Sequence, residues 1–437
     1  MGDTTTPLLI RARQLLTMDP GPDDPIASPP PIGDRDALRT RDAHVVGLID
    51  DGVVSVEGDR IGWVGRWADR PKRLRGNAVR VAEVECATPG WIDAHTHTVF
   101  AGWRQDEFTW RNLGADYLTI LEEGGGILDS VREVRRTSTR ALTDALIARC
   151  FEATRLGVTT LEVKSGYGLT VEDELKQLKA IERARSEVLL DLQATFLGAH
   201  AVPMRFRDDR TGYVELVCEA MIPAVAEQKL ARFCDVFCDR GAFTPAEATR
   251  ILEVGKTHGL IPRLHADELA PVGATEVAIA VGAASADHLE HVSPEAVASM
   301  AEAGVAAVLL PGVNLMMRHT PLAPARALMA AGVEVALATD FNPGSSSTQD
   351  IGLMMTLGCT MLGMTPGEVL RAVTRAAAKA LRLEDRGVLA VGQRADLTVL
   401  AVDDYWKVPY SAGRSHVDGV IAAGELVYWR SADEVDG

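Results

Sequence analysis

Cysteine, basic charge and long apolar runs are all scarce in this sequence of 437 residues. Six cysteines are too few for a disulfide framework in a chain of this length, so we expect reduced and mostly buried thiols. Forty-five basic against sixty-one acidic residues give a formal charge of −16, which opposes non-specific binding to nucleic acid or to an anionic membrane surface. No apolar run is long enough for a signal peptide or a membrane span. These absences favour a small-molecule partner and a cytoplasmic location.

Both ends of the sequence consist of short β-type segments separated by Gly and Asp turns. The N-terminal segments are "LLIRARQLL", "GVVSVEG" and "RIGWVGRW", which predict a small antiparallel unit. The C-terminal segments are "ADLTVLAV" and "DGVIAAGELVYWR". Residues 19–34, between the first two segments, are rich in proline and acid and predict a long, exposed and functionally neutral loop. Both ends are therefore predicted to be rich in β-structure.

Between about residues 88 and 385, short apolar runs alternate with longer amphipathic stretches of helical spacing. The candidate strands begin "GWIDAH", "TTLEVKSG", "LQATFLGAH", "CDVFCD", "PRLHAD", "ASADHLEH", "AAVLLPG" and "EVALATDF". Several of the intervening helical stretches follow a Thr or Ser that suits an N-cap, and end at Gly. Eight β–α repeats in succession predict an α/β fold of the (β/α)8 TIM-barrel type.

The C-terminal ends of these predicted strands carry unusual polar residues, at the face where such a barrel holds its active site. These residues are His95, His97, His200, His265, Glu268, His288 and Asp340. Because side chains alternate along a strand, His95 and His97 point to the same side and two imidazoles can converge on one ion. Together with His265 and Asp340 they form a set of three nitrogen ligands and one oxygen ligand, with room for water or substrate.

Some of these residues also have a purely structural interpretation. An Asp before a turn, such as Asp340, is typical of a cap for backbone N–H groups, and His288 is equally compatible with a core histidine. Glu268 suits the first turn of a helix, where the dipole favours an acid. Taken together, however, they match metal-assisted hydrolysis, which needs one group to accept a proton from water and another to protonate a leaving nitrogen.

Arg104 lies in the loop after the first predicted strand. An exposed surface arginine is the alternative to a planar fork that binds a substrate carboxylate through two hydrogen bonds. The same loop continues through "DYLTILEEGGGILDSV", which is long for a βα connection, and we interpret it as a segment that closes over the site. A phosphate-binding loop is disfavoured, because no Lys-Ser or Lys-Thr follows the glycines.

The strings "PGWIDAHTH", "LHADE", "ADHLEH" and "ATDFNPG", framed by β-rich ends, resemble the amidohydrolase superfamily. The strings "EVKSGYGL", "FLGAHAVP" and "DVFCDRGAFT" resemble, within it, the imidazolonepropionase family. The resemblance implies a barrel over residues 88–385 beside a small β-sandwich domain built from both termini, residues 1–87 and 386–437. It also implies that the ring of 4-imidazolone-5-propanoate is opened to N-formimino-L-glutamate, a reaction of histidine degradation.

The same resemblance implies roles for individual residues. The implied ligands of one divalent or trivalent metal ion per subunit, zinc or iron, are His95, His97, His265 and Asp340. The implied substrate-binding residues are Arg104, Tyr117, Tyr167, His200, Glu268, Asn342, Gly344 and Ser345, and the implied catalytic residues are Glu268, His288 and Asp340. We expect Asp340 or Glu268 to accept the proton from water, His288 to polarise the carbonyl group, and Glu268 to protonate the ring nitrogen. A homodimer is expected for an acidic barrel enzyme of this kind.

Three alternatives remain open. A related cyclic amide with an acidic tail is one, because Trp103 and the segment Val313–Met317 depart from the family pattern near the expected pocket. A metal-dependent deaminase of a heterocycle is the second, and it would not need Arg104. The third is a non-catalytic binding protein on an inherited barrel, which would have lost a ligand or an acid, whereas none is missing here.

Overall fold

The computed structural model describes residues 7–75, 79–115 and 125–430. The strands are β1 (Leu8–Leu16), β2 (Leu48–Glu57), β3 (Arg60–Arg66), β4 (Arg80–Pro89), β5 (Trp91–Asp93), β6 (Val158–Lys164), β7 (Asp191–Ala199), β8 (Phe233–Cys238), β9 (Ile261–Ala266), β10 (Ser285–His288), β11 (Ala306–Leu309), β12 (Val335–Leu337), β13 (Leu397–Leu400), β14 (Val417–Ala422) and β15 (Glu425–Trp429).

The α-helices are Arg35–Val45, Gln105–Asn112, Ile127–Arg136, Thr139–Arg155, Val171–Ala184, Arg210–Leu216, Ile222–Glu227, Pro245–Thr257, Ala274–Val281, Pro294–Ala303, Pro311–Met317, Ala325–Ala330, Ile351–Thr360, Pro366–Ala372, Arg375–Ala380 and Lys407–Tyr410. Short 3₁₀ turns span Pro25–Ala27, Trp67–Asp69, Lys72–Leu74 and Met204–Phe206, and a π-helical turn spans Val217–Met221. None of the helices in the described ranges combines the length and apolar character that a bilayer-spanning helix needs.

Strands β5 to β12 are parallel neighbours in chain order and form an eight-stranded sheet in the described part of the chain. The sheet closes through the segments that follow β5 and β12. The N–H of Asp340 donates to the carbonyl oxygen of His95 at 3.0 Å, and the N–H of His97 donates to that of Phe341 at 2.9 Å. The predicted (β/α)8 barrel is confirmed, and its closure places His95 and His97 beside Asp340.

The barrel helices begin at the side-chain caps that the sequence predicted. Oγ1 of Thr244 accepts from the N–H of Glu247, while Oε2 of Glu247 accepts from the N–H of Thr244 at 2.8 Å, a reciprocal capping box. Oγ of Ser293 accepts from the N–H of Ala296 at 3.1 Å. The strands lie beneath these helices, and β6 is buried along its whole length.

Strands from both termini share a seven-stranded sheet in the order β15-β14-β13-β4-β1-β2-β3. Leu9 and Val53 are buried on one face and Ile10 and Val54 on the other, as the period of two requires. The small β-sandwich built from both termini is therefore confirmed as part of the fold class. Because β4 runs directly into β5, this sheet leads into the barrel.

The N-terminal unit differs from the predicted antiparallel arrangement in two ways. Strand β4 was not predicted, and it pairs with β1 in parallel while pairing with β13 in antiparallel fashion. The helix Arg35–Val45 was also missed, because "RDALRTRDAHV" has few apolar residues to show a helical period. Asp34 caps this helix, and its Arg41 pairs with Glu368 of the helix Pro366–Ala372 at 2.7 Å.

The proline-rich segment 19–34 is mostly exposed, as predicted, but it is anchored to the rest of the chain. Nη2 of Arg41 donates to the carbonyl oxygen of Ser28 at 2.8 Å. Asp24 forms an ion pair with Arg371 at 2.6 Å. These contacts attach the segment to the helix Arg35–Val45 and to the barrel helix that carries Arg371.

Candidate metal centre and active site

The four residues predicted to bind a metal lie together at the C-terminal mouth of the barrel. Oδ1 of Asp340 is 3.3 Å from Nε2 of His95 and 3.3 Å from Nε2 of His97. Nε2 of His265 is 3.4 Å from Nε2 of His97. Ligands placed about 2.0 to 2.1 Å from a tetrahedral ion are about 3.3 to 3.4 Å apart, so these separations match a single small cation.

The hydrogen bonding of the donor atoms also fits a metal ion. Nε2 of His95 and Oδ1 of Asp340 are buried with no hydrogen-bond partner among the described residues, which is costly unless another group satisfies them. Nδ1 of His95 lies 2.6 Å from Oδ2 of Asp287, and Nδ1 of His265 lies 3.1 Å from Oδ1 of Asp235. A carboxylate on Nδ1 favours the tautomer whose Nε2 lone pair is free for a metal.

His288 lies at the same centre. Donor atoms of His95, His265 and His288 fall within 4.8 Å of one another, as do those of His95, His97 and Asp340. His288 has a backbone φ of 81°, an uncommon conformation for a residue with a side chain. Its Nε2 is 3.7 Å from Oε2 of Glu268. His288 is therefore within reach of both a bound ion and the acid that was predicted to move a proton.

Two carboxyl groups at the mouth have perturbed acidities. Burial raises the pKa of Asp340 to about 7. Burial, together with the nearby carboxylates of Glu290 and Asp340, raises the pKa of Glu268 well above its ordinary value. Groups whose pKa is shifted towards neutrality are suited to exchanging protons with a substrate.

Two aromatic residues that were predicted to bind substrate lie beside the candidate metal ligand His97. The ring of His200 stacks on that of His97 at 4.9 Å between centroids, and its Nδ1 is 3.1 Å from the carbonyl oxygen of Gly166. The ring of Tyr167 lies 5.4 Å from that of His200. Tyr117 lies outside the described residues, as does 116–124, the first part of the segment 116–131 that was expected to close over the site.

The loop after β12 is organised by Asn342. Its Oδ1 accepts from the N–H groups of Gly344 and Ser345 at 2.8 Å and 2.7 Å. Its Nδ2 donates to Oδ2 of Asp340 at 3.1 Å and to Oγ of Ser345 at 2.8 Å. Asn342 therefore holds the orientation of the Asp340 carboxylate as well as the shape of the loop.

Arg104 is not an exposed surface residue, because only 14% of its side chain is exposed. Its guanidinium pairs with the carboxylate of Glu107 and lies against Gly344, where an added Cβ atom would overlap it. Trp103, next in the chain, is half-exposed and packs edge-on against Phe100. The rim of the barrel mouth therefore carries the Arg104 cation beside the aromatic side chains of Trp103 and Phe100.

Comparisons with known proteins place the chain in a family. A model described as "Amidohydrolase family" matches residues 111–428. A protein of Shouchella clausii named imidazolonepropionase is 45% identical over 88% of this chain and 87% of its own length. One of Brevibacillus brevis with the same name is 42% identical over 97% of this chain and 98% of its own length. This chain belongs to the imidazolonepropionase family of amidohydrolases.

Two solved structures have a fold similar to that of this member of the imidazolonepropionase family. An atrazine chlorohydrolase from Arthrobacter aurescens TC1, complexed with zinc, has a TM-score of 0.70 and 18% identity, over 97% of this chain and 95% of its own. An adenosine deaminase from Xanthomonas campestris with bound zinc has a TM-score of 0.66 and 20% identity, over 98% of this chain and 96% of its own. At these identities the likeness concerns the fold alone, and the chain is a hydrolase by its family.

Charged residues inside the barrel of this family member were missed by the sequence analysis. Nζ of Lys164 is 3.0 Å from Oε1 of Glu162 and 2.8 Å from Oδ2 of Asp235. Nη2 of Arg263 is 2.9 Å from Oδ2 of Asp287. All five side chains are fully buried. The available signal was the charged residues within four predicted strands, two in β6 and one each in β8, β9 and β10. Burying such charges is costly unless they are paired.

This network of buried charges contacts two of the candidate metal ligands. Asp235 contacts His265, and Asp287 contacts His95. Burial acts to raise the pKa of Asp235, but His265 and Lys164 outweigh it and hold that pKa well below its ordinary value. Asp235 therefore stays ionised and keeps its hydrogen bond to the imidazole of His265.

Proposed function

We propose that this chain hydrolyses the ring of 4-imidazolone-5-propanoate to N-formimino-L-glutamate, in histidine degradation, with one zinc or iron ion per subunit. The observation that carries the proposal is the convergence of His95, His97, His265 and Asp340 at one barrel mouth that also holds Arg104. The similarity to relatives named imidazolonepropionase over nearly the full chain supports the substrate.

The reaction adds water to the ring carbonyl carbon and breaks its bond to the ring nitrogen, which leaves with a proton. A zinc or iron ion held by His95, His97, His265 and Asp340 would supply Lewis acidity for the carbonyl group and would lower the pKa of water. The residues must then accept a proton, stabilise the developing oxyanion and return a proton to nitrogen.

The chain's own groups fit these tasks. Asp340 accepts the proton of the attacking water, because its carboxylate lies at the candidate metal site beside His95 and His97. Glu268 delivers a proton to the ring nitrogen, because its carboxyl group lies beside His288 at the barrel mouth and burial raises its pKa well above the ordinary value. His288, beside Glu268, donates a hydrogen bond to the carbonyl oxygen as charge develops there.

Arg104 binds the propionate tail of the substrate. Tyr167 and His200, which lie beside His97, contact the substrate near the metal site. Asn342 keeps Gly344 and Ser345 in place beneath the tail. Tyr117 completes the substrate site in this proposal. A deaminase acting on an uncharged heterocycle would have no use for a buried arginine at this position.

The direct test uses purified protein whose metal content has been measured, with freshly made imidazolone propionate. We expect the ultraviolet absorbance of the ring to be lost and the product to have gained one water without release of ammonia. Removal of the metal with a chelator should stop the reaction, and zinc or iron should restore it. No turnover by metal-loaded protein would contradict the proposal and would favour another cyclic amide as substrate.

Two further expectations belong to the proposal. Residues 88–385 form the barrel domain and residues 1–87 and 386–437 the second domain, and two copies of the chain form a homodimer. Sedimentation velocity measures the oligomeric state, and a monomer at micromolar concentration would contradict the dimer.

A further inference from the structure

Glu107 is a buried carboxylate that none of the roles above includes. It lies on the helix Gln105–Asn112 at the rim of the barrel mouth, and only 4% of the residue is exposed. Glutamate is seldom fully buried unless it is paired. Here it accepts hydrogen bonds from Nε of Arg104 at 3.0 Å, from Nη2 of Arg104 at 2.9 Å and from the N–H of Gly126 at 2.7 Å.

These contacts occupy one edge of the Arg104 guanidinium. Nε and Nη2 of Arg104 donate two parallel hydrogen bonds to the Glu107 carboxylate, and together these bonds fix the position and the plane of the guanidinium. Nη1 has no hydrogen bond to any described residue. A guanidinium carries five N–H donors, so the edge that includes Nη1 remains able to bind a second carboxylate.

The free edge lies beside the loop that carries Asp340. The N–H of Arg104 donates to the carbonyl oxygen of Pro343 at 3.3 Å, and the guanidinium packs on Gly344 so closely that a Cβ atom there would overlap it. Nη2 of Arg111 donates to the carbonyl oxygen of Gly344 at 2.8 Å. Arg104 is thus held between Glu107 on one side and the loop after β12 on the other.

We propose that Glu107 is a positioning residue for substrate selection: it holds Arg104 so that the free edge of the guanidinium receives the carboxylate of the substrate. This inference rests on the proposed function, because it takes the acidic tail from that substrate. Its chemical consequence is selectivity for a ring with an anionic tail over the same ring with an uncharged tail.

Two physical effects of Glu107 oppose each other, and the experiment separates them. As a negative charge next to Arg104, Glu107 weakens the attraction of any other anion. As a fixed partner, it keeps Arg104 in one geometry and so reduces the ordering that substrate binding requires. We expect the fixed position of Arg104 to matter more for anion binding than the repulsion from Glu107. Loss of the Glu107 charge should therefore weaken anion binding.

The test measures the affinity of the metal-containing protein for imidazolepropanoate and for its methyl ester by calorimetry. The ratio of the two dissociation constants isolates the tail, because both ligands share the ring. Glu107→Gln should reduce the preference for the acid by about tenfold or more, with little change for the ester. With imidazolone propionate, the same variant should raise KM far more than it lowers kcat.

Asp106→Asn is the matched control, because it removes one negative charge from the neighbouring, exposed position of the same helix. It should keep the wild-type preference. An unchanged preference in Glu107→Gln, even with lower thermal stability, would assign Glu107 a structural role only and overturn the proposal. A greater preference for the acid would overturn it as well, because charge would then outweigh geometry.

Gly344→Ala tests the same arrangement from the other side, and it serves if Glu107→Gln does not fold. The added Cβ atom displaces the guanidinium while Glu107 is intact, so the preference for the acid should fall. A wild-type preference in this variant would overturn the proposal. If the wild type prefers the acid yet does not turn over imidazolone propionate, the proposed reaction is wrong, and the Glu107→Gln result alone decides the role of Glu107. If the wild type does not prefer the acid, both fall.

Discussion

Nδ1 of His95 lies 2.6 Å from Oδ2 of Asp287, and the same oxygen accepts a hydrogen bond from Nη2 of Arg263 at 2.9 Å. Asp287 thus links the candidate metal ligand His95 to the buried cation Arg263 on the neighbouring strand β9. The contact orients the imidazole so that its Nε2 faces Oδ1 of Asp340. Acidic partners of this kind commonly change metal affinity when they are replaced.

Asp287→Asn should weaken metal binding by roughly 10- to 100-fold, because the amide oxygen lacks the negative charge with which the carboxylate orients His95 and pairs with Arg263. Competition with a chromophoric chelator measures the affinity. Asp42→Asn is the control, since Asp42 is a buried carboxylate that bonds the N–H of Gly367 away from the barrel mouth. Equal metal affinity in Asp287→Asn and the wild type would contradict the supporting role.

Arg104→Ala should chiefly weaken binding of the acidic substrate and leave the metal in place. The loss of charge-assisted hydrogen bonds to a carboxylate predicts a rise of about tenfold or more in KM. Michaelis constants and metal content are measured on the same preparation. Arg140→Ala removes an arginine whose side chain is 90% exposed and should change neither. Unchanged Michaelis parameters in Arg104→Ala would exclude the carboxylate clamp.

Asp340→Asn should abolish turnover, because the residue is proposed both as a metal ligand and as a proton acceptor. The amide keeps the size of the side chain and its contact with Asn342 while removing the charge. Metal analysis and kcat are measured together, so that loss of the ion is distinguished from loss of the proton acceptor. Wild-type activity in this variant would rule out both roles.

Glu334 should make the stability of the fold depend on pH. Burial acts to raise its pKa, but Arg371, Lys379 and Arg375 outweigh it, so the pKa lies below its ordinary value in the folded chain. The folded state therefore binds fewer protons than the unfolded state, and the stabilisation is present above the unfolded pKa and lost as pH falls through the folded pKa. Stability is measured as the free energy of unfolding.

Glu334→Gln should consequently reduce the free energy of unfolding by roughly 1 to 3 kcal/mol at pH 7, with a smaller difference below about pH 4. Urea unfolding of both proteins across this range measures the effect. Glu83→Gln is a matched control, because its ion pair with Arg11 is exposed and should contribute little. A difference between Glu334→Gln and the wild type that does not shrink at low pH would contradict the assignment.

Much of the barrel, and the placement of the candidate metal ligands at the strand ends, could be predicted from local pattern. All eight barrel strands coincide with predicted apolar runs, because parallel strands buried on both faces are mostly apolar. His95 and His97 were predictable as a pair because side chains two apart on a strand share a side. Asp340 was identified by its place at the end of the last strand.

The sequence did not reveal contacts between distant positions. The parallel pairing of β4 with β1 depends on strands separated by a helix and two further strands, and the polar helix Arg35–Val45 has its Arg41 paired with Glu368. Likewise, Glu107 resembles an ordinary helix acid until Arg104 and Gly126 are seen to donate to it.

The sequence by itself determined the order of the barrel strands and the polar residues at their ends, since these follow from side-chain periodicity along a single segment. Only the tertiary structure decided which charges meet. His95 and Asp287 are 192 positions apart, and Lys164 and Asp235 are 71 apart. Barrel closure brings them within hydrogen-bond distance, and burial there makes each buried charge depend on its partner, which no local pattern records.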